Sequence, residues 1–101
     1  MISEAGISAV NAAEVQVKLV KVGIEPADAW HAVLGSARDV IAFDAKQAEM
    51  VGNLLPLTGA LGLSIGDRAC LALAMVLQVP VYTADRAWKK LNIGVEINVI
   101  R

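Results

Sequence analysis

Three acidic residues stand where a parallel α/β sheet would gather them. Glu14 falls in the first helical turn after a first strand, Asp67 in the first turn of an apolar helix, and Asp85 just beyond a strand at 80–83. In a parallel sheet all three positions lie on the carboxyl edge, where α/β ligands bind. The helical run 67–78 carries the chain roughly 17 Å away from that edge. The extended run 80–85 returns it by roughly 17 Å. Two carboxylates about 4 Å apart repel by roughly 4 kcal/mol at an effective dielectric near 20, so such a group either holds protons or binds a cation. Hard divalent ions such as magnesium or manganese take oxygen ligands and suit an all-carboxylate site. With one His and one Cys in the sequence, no other ligand cluster competes. Singly, each acid reads as a helix cap or first-turn residue, as Asp44 and Asp28 do; only the set points to metal chemistry.

The elements that must position these acids alternate between strand and helix. Residues 6–10 read as a strand. Asn11 then reads as an N-cap, with Glu14 three residues on in a capping-box arrangement, and Gly23 stops the helix. Glu25-Pro26 opens a second helix carrying Trp30, Val33 and Leu34. Residues 39–43 form a strand, Asp44 caps a helix to about Leu55, and 56–63, with Pro56, Gly59 and Gly62, reads as a loop. Ser64 caps the next helix, with Asp67 at the third position. From 69 to 77 that helix is apolar on every face, the pattern of burial on more than one side. Residues 80–83 form a strand, Asp85 caps a short helix containing Trp88, and 95–100 closes the chain as an alternating edge strand. Strands separated by helices predict an α/β layer fold with a largely parallel sheet.

Composition bounds the function classes. The 101 residues predict a single domain. A hydrophobic fraction of 56% with mean hydropathy +0.58 excludes a disordered chain. The formal net charge of −1 gives no global field for nucleic acid or an anionic membrane, so any such contact is local. Cys70 alone cannot form an intrachain disulfide, which fits a reducing, cytoplasmic compartment. The longest apolar run, 69–77, is far below the roughly 20 residues of a membrane span. No basic, apolar leader is visible at Met1-Ile2-Ser3-Glu4.

Three segments carry a resemblance to a known family: Ile7-Ser8-Ala9-Val10-Asn11-Ala12-Ala13-Glu14-Val15, Gly62-Leu63-Ser64-Ile65-Gly66-Asp67-Arg68-Ala69-Cys70-Leu71-Ala72-Leu73-Ala74, and Val81-Tyr82-Thr83-Ala84-Asp85-Arg86-Ala87-Trp88. In order and spacing the chain resembles a PIN domain, specifically the VapC-type toxins of bacterial toxin–antitoxin pairs. The resemblance implies a three-layer α/β/α sandwich with a mainly parallel sheet, and metal-dependent endoribonuclease cleavage of RNA. Glu14, Asp67 and Asp85 match the family's second, third and fourth acids, the catalytic residues and ligands of Mg2+ or Mn2+. Thr83 matches the hydroxyl residue beside the last acid. Hydrolysis would use a metal-bound water of lowered pKa, with Thr83 fixing a carboxylate or water from behind the ligands. Arg68 and Arg86 flank two acids and either contact RNA phosphates or form ordinary ion pairs on a wet rim. The family's first strand and its aspartate have no counterpart before Gly6, so residues 1–101 read as an N-terminally incomplete PIN-like domain missing its first strand. Glu4 is no substitute, since it precedes the Ile7–Val10 strand at its other end. Gly59 stands where many relatives of this subtype carry a basic residue.

The rival expectation is a catalytically incomplete module that only binds an antitoxin or self-associates. A sheet without a central strand exposes backbone that can template pairing with another chain, which predicts a homodimer, including a domain-swapped one. A receiver-like phosphoryl-transfer domain would need a strand-end aspartate facing a lysine; Lys89 and Lys90 lie in a helix and supply none. His31 reads as a packed or solvent-facing side chain, Cys70 as a buried small hydrophobe, and Trp30 and Trp88 as core or partner-contact anchors.

Overall fold

A computed structural model describes residues 2–3, 6–36 and 39–100, and within them strands and helices alternate: β1 (Ile2–Ser3), β2 (Ile7–Ser8), α1 (Ala9–Lys21), α2 (Pro26–Ser36), β3 (Val40–Ile41), α3 (Ala45–Thr58), α4 (Ile65–Leu77), β4 (Val81–Thr83) and β5 (Ile97–Val99). Short 3-10 helices follow α3 at Gly59–Leu61 and β4 at Arg86–Lys90. The mixed α/β class expected from the alternation is the one observed, with parallel pairing between β2 and β3 and between β4 and β5.

Among the described residues the strands are not joined into one sheet. They form a two-stranded ladder β2–β3 and a three-stranded ladder in the order β1–β4–β5. Ile2 lies opposite Tyr82 and Ser3 opposite Val81, so β1 runs antiparallel to β4. No strand is expected before Gly6, because two residues carry no periodicity to read. Glu4 lies outside the described residues.

Helix α4 is the hub. Its residues Ala69, Cys70, Leu71, Ala72, Leu73 and Ala74 are all buried, as an all-round apolar helix requires. Val51 and Leu54 of α3, Val81 of β4, Ile97 of β5, Trp88 and Ile93 close the core around it. Trp88, Leu54, Leu71 and Leu73 are essentially inaccessible, and burying a side chain of Leu or Phe size contributes roughly 1.5–3 kcal/mol each. A second, smaller cluster joins Ile7 of β2, Ala12 of α1 and Val33 of α2, with Trp30 and Val40 against it. At Gly6, φ is +132° and a Cβ would collide with the Asp39 carbonyl. That carbonyl accepts from the Ile7 N–H at 2.9 Å, so a bare backbone at 6 lets β2 and β3 meet.

Two expectations are corrected. Residue 56 does not open a loop; α3 runs through Pro56 to Thr58. Proline removes one backbone donor from the ladder, but the next residues are held independently. Thr58 is buried and its hydroxyl donates to the Leu54 carbonyl at 2.8 Å, while Leu54 is anchored in the core. The first helix starts earlier than expected. Ser8 is its N-cap, accepting from the Val10 N–H at 3.2 Å, and Asn11 lies inside the helix. The other caps stand as read: Asp44 accepts from the Gln47 N–H at 2.9 Å, and Ser64 with Asp67 makes a complete capping box.

Candidate functional site

Asn11 is freed from capping because Ser8 takes that role one turn earlier. It is 6% exposed and points from α1 to the start of α4. Its Nδ2 donates to the Gly66 carbonyl at 2.9 Å and to Glu14 Oε1 at 3.3 Å. One amide thus ties the two helices together and holds the acid one turn further along α1. The Glu14 carboxylate lies directly over the Cα of Gly66, so that a Cβ at 66 would overlap it. Gly66 is buried. Placed against the first turn of α4, the carboxylate also sits at the positive end of the helix dipole.

Asp67 follows Gly66. Its Oδ2 accepts from the Ser64 N–H at 3.0 Å, while its own N–H donates to Ser64 Oγ at 3.1 Å. The cap engages one carboxylate oxygen. Glu14 and Asp67, far apart in the chain, are therefore brought to adjacent residues of the same helical turn. Asp85 stands at the end of β4, where expected. Its Oδ1 accepts from the Ala87 N–H at 2.9 Å and starts the 3-10 helix that carries Trp88. Among the described residues no three His, Cys, Asp or Glu side chains form a group placed to hold a metal ion, so Glu14, Asp67 and Asp85 are not gathered into a common cage.

Thr83 is buried, and its Oγ1 accepts from the Asp85 backbone N–H at 3.1 Å. It fixes the turn on which Asp85 rides rather than touching the carboxylate. Arg68 is turned back on its own loop: Nη1 donates to the Leu63 carbonyl at 3.0 Å, and Nε is buried with no acceptor among the described residues. Arg86 is exposed beside Asp85. His31 is exposed. Cys70 is 2% exposed, and burial pushes its thiol from 9.0 up to about 11.

Sequence reasoning misses the parts played by Asn11 and Gly66. Gly66 left no distinguishing signal: glycine inside a helix costs up to about 1 kcal/mol against alanine, but Gly35 and Gly52 also lie inside helices with nothing packed where a Cβ would stand. Asn11 left none, because Asn three residues before Glu fits a capping pattern equally well. Glu14 against Gly66 and Asp67 next in the chain carry hard oxygens, and the Oδ1 of Asn11 is buried without a donor among the described residues. Such a set suits magnesium or manganese, and magnesium is commonly held by one or two carboxylates completed by waters and substrate phosphates. Comparison of the chain with protein-family models, with curated proteins and with solved structures gives no match.

Proposed function

We propose that the chain is a PIN-like, three-layer α/β/α domain acting as a metal-dependent endoribonuclease of the VapC toxin type. The observation that carries this reading is Glu14, clamped by Asn11 over Gly66 beside Asp67. Nothing in local helix formation asks α1 to deliver an acid to the first turn of another helix. In this reading Glu14 and Asp67 would supply carboxylates to Mg2+ or Mn2+, and Asp85 at the end of β4, which forms no group with them here, would join once ion and substrate phosphate are bound. A bound ion would lower the pKa of a water and offset charge on the scissile phosphate. Asn11 keeps the Glu14 carboxylate oriented, and Thr83 fixes the turn that presents Asp85. Arg86, exposed on the rim, is free to meet a phosphate; Arg68, bonded to Leu63, is less so. RNA is the substrate and an antitoxin the cognate partner, in the cytoplasm.

The test is cleavage of a structured RNA in Mg2+ or Mn2+, together with calorimetry of metal binding. Metal-dependent cleavage lowered at least a hundredfold by Glu14→Gln and by Asp85→Asn is the expected result. Cleavage that survives both substitutions, or an absence of both cleavage and metal binding, overturns the reading. A second reading is favoured by the division of the strands into separate ladders: a non-catalytic module that binds an antitoxin or pairs with a second copy, including by strand exchange. Light scattering that gives a dimer, with no metal bound, would support it.

A further inference from the structure

The outer face of α1 continues from the Glu14 carboxylate into a groove of about 500 Å3 that the nuclease reading does not use. Val10, Ala13 and Val17 of α1 and Ile65 of α4 give it an apolar wall. Val17 and Ile65 are 50% and 59% exposed. Glu14 lines the same groove, and Lys18 and Lys21 line it on the following turns. Lys18 is one turn beyond Glu14, about 6 Å along the axis, and Lys21 about 10 Å beyond it. The helix dipole favours lysines in the last turn of α1, and Lys18 stands at the i,i+4 helix-pair spacing from Glu14; Lys21, a further turn on, lies on the same groove wall as exposed Val17.

We infer that this groove seats the single-stranded RNA flanking the cleaved bond, with Lys18 and Lys21 holding successive backbone phosphates while Val17 and Ile65 pack beneath a sugar or base. The inference rests on the nuclease reading for the identity of the occupant. The order of charges favours RNA over a peptide: an acid able to hold a cation at one end, then two cations spaced along the path of a polyanion. A chain of net charge −1 has no overall attraction for RNA, so affinity must come from local cations of this kind.

The test is fluorescence anisotropy of a labelled single-stranded RNA dodecamer in EDTA, which separates binding from cleavage, over a series of salt concentrations. Lys18→Gln/Lys21→Gln should weaken binding about tenfold at low salt. It should also reduce the slope of log K against log salt by about 1.4, the value for two phosphate contacts on a single strand. Circular dichroism should show the double variant folded, both lysines being exposed. Unchanged affinity and slope in the folded double variant overturn the groove, and overturn it alone if the wild-type chain still cleaves RNA in Mg2+. Lysine-dependent binding by a chain that cleaves nothing upholds the groove and removes the nuclease reading. Failure of the wild-type chain to bind the dodecamer, or a dimer that Val17→Asp/Ile65→Asp converts to monomer without changing RNA affinity, also overturns the groove.

Discussion

Leu54, Leu71, Val81 and Trp88 close one core around α4, drawing on α3, both strands of the β4–β5 pair and the 3-10 helix behind Asp85. Ile7, Ala12 and Val33 close the other, from single residues of β2, α1 and α2. The first has large side chains and an all-apolar helix at its centre; the second has one isoleucine, one valine and an alanine, with Trp30 and Val40 half-buried at its border. Stability follows buried apolar area, so the two regions should open at different free energies. The candidate site lies on the seam. Asp67 and Asp85 belong to the large core's framework, whereas Glu14 comes from the small one and reaches its place through Asn11. The site is thus only as well ordered as the weaker region allows.

The largest expected effect tests this asymmetry directly. Trp88→Ala should cost roughly 3–5 kcal/mol and lower the urea midpoint of the whole chain. Val33→Ala should cost less, and in hydrogen exchange should release amides of α2, β2 and β3 while those of α4 stay protected. Equal losses, or simultaneous exchange throughout, would merge the two cores into one cooperative unit.

A smaller effect isolates the large core by pH. Cys70 sits within it, and its thiol is raised from 9.0 to about 11 by burial. The folded state therefore binds its proton more tightly than the unfolded state. Stability is whole below about pH 9 and falls as pH rises toward about 11, by about 2 kcal/mol at the top of that window. Urea melts across this range should slope downward for the wild-type chain and lose this component in Cys70→Ala. A wild-type profile matching the variant's would show that the thiol already meets water.

The smallest effect lies at the seam. Ser64→Ala removes one half of the capping box and should cost about 1 kcal/mol, read as a shift in thermal midpoint. The Asp67 carboxylate keeps its bond from the backbone N–H of residue 64, which alanine retains, so Mn2+ affinity by calorimetry should stay unchanged; a fall would show that the Ser64 hydroxyl also orients that carboxylate.

What was legible in the sequence is what local chemistry determines. Ser64 and Asp67 announce a cap within four residues, and the run Ala69–Ala74 announces burial by lacking any polar face. Asp85 at the end of β4 follows from a strand of three residues and a turn. The rest depends on contacts that no window contains. Asn11 fits an N-cap pattern, but Ser8 competes for the same role and wins, leaving Asn11 to bond Gly66. Pro56 reads as a helix stop until Leu54 and Thr58 are seen pinned on either side of it. Ile2–Ser3 pairs with β4 without any sequence signature. Glu14 reaching Gly66, and the three acids forming no common group, likewise follow from no local pattern.

Gly66 gives up its own side-chain space to a carboxylate from another helix. Positions 14 and 66 consequently form a single locus in two pieces. An alanine at 66 evicts the glutamate, whereas trimming residue 14 to aspartate opens room for that methyl group. The glutamate is flexible enough to swing aside, so what the first turn of α4 sets is the place of the carboxylate on α1.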